Sequence, residues 1–223
     1  MYAHIHDLTT PIQIEGTSLE DLIDAYEKLM SIVVGEKYKG ITDEDVIDGY
    51  YNKLVTWLRS TDFYKAPAST IYHESFVGGL LVHTLNVYNN MIALRSASQF
   101  KDVDIVSAAL VALTHDWCKI GLYETYQKNV KNESTGQWEK VDAFRYNQTG
   151  VPLGHGVSSM FLASKFFRLS TEEALAIRWH MNRFRVCEDE ISELQKANET
   201  FPLVHLIQFA DALSITSYAN ERV

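Results

Sequence analysis

The chain has 223 residues, 46% hydrophobic and 22% charged, the balance of a soluble globular protein with one sizeable domain, or one domain with an appendage. Its formal net charge is −9, and its positive side chains are scattered, the densest group being Arg178, Arg183 and Arg185. That pattern argues against a long nucleic-acid backbone as partner and favours a small phosphorylated ligand that meets local positive charge.

Four prolines are too few for a linker-rich chain. No apolar run approaches ~18 residues, so no membrane span is expected. The N-terminus lacks a basic segment followed by an apolar one, the mark of a signal peptide. With two cysteines, Cys118 and Cys187, a disulfide framework is not expected. A reducing cytoplasm is the expected setting, with Cys118 as a buried core thiol.

Residues 1–16 read as an irregular or extended arm; His4 and His6 there could chelate only adventitiously. From Thr17 the pattern turns helical, with Leu22, Tyr26, Leu29 and Val33 on one face and Gly35 to Gly40 closing the segment. Thr42 with Asp45 resembles a capping box. The helix behind it carries Ile47, Tyr50, Leu54 and Trp57. Residues 61–72 read as a loop.

The next helix starts near Gly78-Gly79 with the stripe Leu80, His83, Val87, Met91 and Leu94. Another, over residues 103–119, places Val106, Ala109, Leu113 and Asp116 at steps of three and four, with Gly121 as C-cap. This puts His115 and Asp116 in its last turn. Residues 122–146, with the polar turn Asn132 to Gly136, read as a β-hairpin. Its aromatics either lie over a neighbouring pocket or merely pack the hairpin down. His155 opens a further helix with Met160, Ala163, Ser164 and Phe167. Ser170 and Glu173 cap the next, which carries Ala176, Ile177, His180 and Met181. A polar stretch follows. Thr200 and Pro202 open the last helix, whose stripe is Val204, Ile207, Asp211, Ile215 and Tyr218. About seven helices and one hairpin make the class mainly α, a helical bundle with a small inserted β-hairpin.

His83, His115-Asp116, His155, His180 and Asp211 thus fall on or beside apolar helical stripes. An unpaired ionisable group is costly there. Taken singly, each histidine is as readily a satisfied core or surface side chain, and Asp211 a structural salt bridge or a capping contact. Taken together, six imidazole and carboxylate groups on five segments are most simply explained by shared metal. Such donors suit one or two divalent transition-metal ions: Mn, Fe, Co, Ni or Zn. A metal lowers the pKa of bound water, and a second clamps the oxygens of a phosphoryl displacement.

Phe76-Val-Gly-Gly-Leu-Leu-Val-His83-Thr84, Ala112-Leu-Thr-His115-Asp116-Trp-Cys-Lys119-Ile-Gly121, Leu153-Gly-His155, Trp179-His180 and Ala210-Asp211 together resemble the HD-domain metal-dependent phosphohydrolase superfamily, over residues 72–220. The resemblance implies an HD-domain core over residues 71–223. Residues 1–70 would be an arm and helical extension packed on it, acting in oligomerisation or as a lid. It implies His83, His115, Asp116 and Asp211 as ligands of the main metal. His155 and His180 would serve a second ion bridged by Asp116, or would bind substrate phosphate or water instead.

Lys119 is implied as a substrate contact, although some nucleotidase branches carry an acidic helper at this place; the alternative is a solvated helix end. His73, just before the first ligand helix, could assist at the pocket rim as acid or phosphate donor. Arg183, three residues after His180, could bind phosphate bidentately. Each is also readable as a surface residue. His205 lies about 120° around its helix from Asp211 and is not counted as a ligand.

The leading expectation is a phosphohydrolase acting on a nucleotide or related small phosphoester, dNTPs among them, through metal-activated water. The alternatives are a 3′→5′ exonuclease on single strands, disfavoured by the acidic chain and helical N-terminus, and a non-catalytic metal-bearing nucleotide-binding module. A homo-oligomer is left open.

Overall fold

The computed structural model of the chain describes residues 7–40, 43–147, 153–184 and 186–216. His4, His6, Thr42, Arg185 and Tyr218 lie outside the described residues. Among them the order is α1 (Leu19–Tyr38), α2 (Glu44–Ser60), α3 (Gly79–Arg95), α4 (Ile105–Thr114), β1 (Tyr123–Lys131), β2 (Trp138–Tyr146), α5 (His155–Ser164), α6 (Thr171–Trp179), α7 (Ile191–Thr200) and α8 (Pro202–Thr216). Short 3-10 turns cover Trp117–Lys119 and Glu188–Glu190. The protein is mainly helical with one antiparallel hairpin. No described helix is long and apolar enough to cross a membrane.

One hydrophobic core runs from Leu8 to Ala210. The N-terminal segment is tied to it: Tyr88 donates its hydroxyl to the Leu8 carbonyl at 3.0 Å, and the Asn89 side chain pairs with both backbone groups of Ile12 at 2.7 Å. Ser18 caps α1 by accepting from the Asp21 amide. The helix buries the expected Leu22, Tyr26, Leu29 and Val33, but it runs through Gly35 to Tyr38; Lys39 is its C-cap, and Gly40 follows with a φ of 74°. Tyr26 reaches α4: its hydroxyl donates to the Leu113 carbonyl at 3.0 Å and accepts from the Trp117 indole at 3.2 Å. Helix α1 therefore holds the end of α4, where His115 and Asp116 stand.

Several expectations are corrected. On α2 the buried residues are Leu54 and Leu58, with Ile47, Tyr51 and Trp57 partly covered; Tyr50 is 46% exposed and only stacks on Tyr38. Asp43, at the N-cap of α2, makes no side-chain capping bond. Helix α4 ends at Thr114, not near residue 119. His115 is its C-cap, and Asp116, at φ −111° and ψ 18°, turns the chain into the 3-10 segment. Gly121 follows that turn in the left-handed conformation expected just past a helix end.

The hairpin has the register Tyr123↔Tyr146 through Lys131↔Trp138, but only Phe144 is buried, and Trp138 is 70% exposed. Of its aromatics Trp138 and Tyr146 are exposed, Tyr123 and Tyr126 are half-buried, and Phe144 packs inward. Helix α7 falls in what reads as a polar stretch, with Leu194 and Ala197 as its buried pair. On α8, Ile215 is exposed and Ser214 takes the inward place. Cys118 is half-buried rather than a core thiol.

Candidate metal centre

Helices α3, α4, α5, α6 and α8 converge on Asp116. His83 is buried on α3, Asp211 on α8, His115 and His180 at the C-caps of α4 and α6, and His155 is the first residue of α5. The approach of α5 to α6 depends on Gly156. A Cβ there would stand 1.9 Å from the Arg178 carbonyl oxygen. That close approach sets the His155 and His180 rings 5.2 Å apart.

The two oxygens of Asp116 divide the cluster. Oδ2 faces His83 Nε2 at 3.2 Å, His115 Nε2 at 3.5 Å and Lys119 Nζ at 2.7 Å. Oδ1 faces His155 Nε2 at 2.8 Å and His180 Nε2 at 3.5 Å. Asp211 Oδ1 meets His83 Nε2 at 3.2 Å, and His115 Nε2 lies 3.3 Å from the same nitrogen. Cys118 offers a sulfur within 4.8 Å of donor atoms of Asp116 and His155, though burial and the Asp116 charge push its thiol pKa up.

The outer hydrogen bonds fix how the rings present themselves. His115 Nδ1 donates to the Ala112 carbonyl at 2.8 Å, and His180 Nδ1 to the Ile177 carbonyl at 2.7 Å. Ser214 donates its hydroxyl to the Asp211 carbonyl at 2.7 Å, so it accepts from His83 Nδ1 at 3.2 Å. All three rings thus have Nδ1 committed outward and Nε2 turned to the shared carboxylates, the arrangement that orients metal-binding imidazoles. Among the described residues His180 Nε2 is buried with no hydrogen-bond partner; its contact with Asp116, at 3.5 Å, is Coulombic. A cation fits this donor set.

Without an ion the centre balances itself with protons. Burial alone would raise the Asp116 carboxyl, but the Lys119 ammonium and the His115 imidazole hold it well below the usual carboxylate range. Burial is likewise outweighed at Asp211, chiefly by the hydrogen bond from His83, and its pKa is lowered. Burial disfavours charge on His83 too, yet hydrogen bonds to Asp116 and Asp211 lift it to about 9. The proton on its Nε2 sits where Asp116, Asp211 and His115 converge. Lys119 is buried and kept protonated by Asp116 against its burial. It is therefore turned into the centre and not a solvated helix end. Burial lowers His115 and His155, while Asp116 raises His180 against its burial.

His73 joins the cluster, with its ring 5.2 Å from that of His83. Burial lowers its pKa to about 4, so at neutral pH it offers a neutral N–H. Arg183 is exposed at the turn after His180 and makes no ion pair among the described residues. His205 stacks on Phe209. Two contributors escape sequence reasoning. Ser214, three residues after Asp211 and so on the same face, is one. Glu74, a buried carboxylate beside His73, is the other.

Comparison of the chain with protein-family models, curated proteins and solved structures finds no match.

Proposed function

We propose that this protein is a metal-dependent phosphohydrolase of the HD-domain kind, acting on a nucleotide or a related small phosphoester. The observation that carries the reading is the set of three imidazoles with Nδ1 tied to protein acceptors and Nε2 aimed at two buried aspartates. His83, His115, Asp116 and Asp211 would hold one ion, and His155 and His180, on the other oxygen of Asp116, a second. Such ions supply water activation near neutral pH and charge neutralisation at phosphorus.

The chain's own groups do the rest. Lys119, fixed 2.7 Å from Asp116, is a permanent positive charge that draws a phosphate oxygen toward the centre. Neutral His73, in the loop before α3, donates one ring N–H to the same anion and leaves its other ring nitrogen unprotonated. Arg183 is free to meet the more distal phosphate as substrate enters. The net charge of −9 suits a small anion handled locally over a polynucleotide tracked by its backbone.

The test is metal analysis followed by a Mn-supplemented screen of dNTPs, nucleoside monophosphates, cyclic dinucleotides and short RNA, run on wild type and Asp116→Asn. The expected result is turnover of one substrate class and a loss of about 10³-fold or more in Asp116→Asn, together with its metal. Stoichiometric metal without turnover would assign the centre to a non-catalytic nucleotide-binding module. A fully active Asp116→Asn enzyme would falsify the site.

A further inference from the structure

Glu74 is 4% exposed, yet among the described residues neither of its carboxylate oxygens finds a hydrogen-bond donor of good geometry. Burial pushes the Glu74 carboxyl pKa up, opposed by the His83 and Lys119 charges and, less, by the Asn86 amide, whose contact does not close that gap. Burying a carboxylate without partners is costly, so such a group calls for an explanation.

The chain takes trouble to put this carboxylate here. Glu74 adopts a φ of 40°, in the left-handed region. Its carbonyl accepts from the Ala68 amide at 3.1 Å and lies where a Cβ on Gly79 would come within 1.9 Å. Ser69 donates its hydroxyl to the His73 carbonyl at 2.7 Å, fixing the neighbouring residue. His73, Glu74 and His83 then each present a ligand atom, all within 4.8 Å of one another.

We propose that His73 and Glu74 form an outer cation locus beside the Asp116 centre, one that takes a divalent transition-metal ion. The mixed imidazole and carboxylate donors suit that class of ion. A positive charge would satisfy the stranded Glu74 carboxylate. His83 Nε2 already faces Asp116 and Asp211, and one ring nitrogen serves one ion. The outer ion therefore has His73 and Glu74 as its protein ligands and leaves its other positions to water or substrate oxygens. This goes beyond the hydrolase reading and needs no catalytic step, since its readout is the number of bound ions.

The experiment is Mn2+ binding by equilibrium dialysis and native mass spectrometry on the full chain. It compares wild type with Glu74→Gln, which keeps side-chain volume, His73→Ala and Asp116→Asn, with circular dichroism checking folding. Wild type is expected to bind one more ion than Glu74→Gln or His73→Ala, both of which keep the inner ions. Asp116→Asn is expected to lose inner ions and retain the outer one. Equal ion counts in wild type, Glu74→Gln and His73→Ala, with dissociation constants within about twofold, overturn the outer locus alone. A folded Glu74→Gln that loses every ion also overturns it, because Glu74 would then belong to the inner set. An unchanged count in Asp116→Asn overturns the inner reading only. A folded wild type that binds no Mn2+ overturns both.

Discussion

Gly156 shows how a single position fixes the geometry of the centre. With 1.9 Å between its virtual Cβ and the Arg178 carbonyl oxygen, a methyl group cannot enter unless α5 and α6 separate. Gly156→Ala should destabilise the protein by about 1–3 kcal/mol or more. It should also weaken metal binding through His155 and His180 while sparing Asp211. Urea denaturation and a Co2+ titration followed by absorbance check both effects; an unchanged midpoint would mean the helices are not in contact here. At this scale the sequence reveals the buried imidazoles and carboxylate of the cluster, because His83, His180 and Asp211 interrupt apolar stripes. It does not reveal Glu74 or Ser214. Glu74 is buried by loop packing, which has no periodicity, and a serine beside an apolar face carries no signal until the imidazole it supports is known.

At the scale of elements, Glu173 does more than its capping box announces. Its carboxylate accepts from the Ser170 amide as the box requires, and it also pairs with Lys37 on α1 at 2.5 Å and accepts from Ser107 on α4 at 2.9 Å. One buried acid thus locks three helices together, and α6 brings His180 to the centre. Glu173→Ala strands Lys37 and Ser107 in a nearly dry site and should cost about 2–4 kcal/mol. Glu36→Ala, which breaks an exposed i,i+3 pair with Lys39, should stay within about 0.5 kcal/mol. Equal thermal shifts for the two variants would refute this assignment. The cap is a local signal and so can be read from sequence; its two distant partners are not local. The same distinction explains the misplaced ends of α4. Its apolar period continues past Thr114, but the chain must turn at Asp116 to aim both carboxylate oxygens inward, and tertiary demand prevails over local pattern. Helix α7 is missed for the opposite reason: two buried residues in ten give too faint a stripe.

At the scale of the whole molecule, the buried centre makes stability a function of pH. In the ion-free protein the pKa of His83 is raised to about 9, above the ordinary imidazole value near 6.5. Its stabilising contribution is therefore complete below about pH 6.5 and is lost as pH rises through about 9. His180, also raised, acts in the same sense. His73, lowered to about 4, acts in the opposite sense, as do His115 and His155. They favour the folded state fully above about pH 6.5 and lose that contribution as pH falls below it, His73 through about 4. The depressed Asp116 and Asp211 add to the loss at still lower pH. The ion-free protein should accordingly be most stable near about pH 6.5, falling by about 2–3 kcal/mol by pH 9.5. Loading with Mn2+ should abolish the alkaline fall, because His83 then serves as a neutral ligand and has no proton to lose. His83→Gln should lessen that fall as well, at the cost of lower stability throughout. Urea titrations from pH 4 to 10, with and without Mn2+, distinguish these cases. A flat ion-free profile above pH 6.5 would mean that His83 is neutral in the folded protein and that Lys119 alone balances the two aspartates.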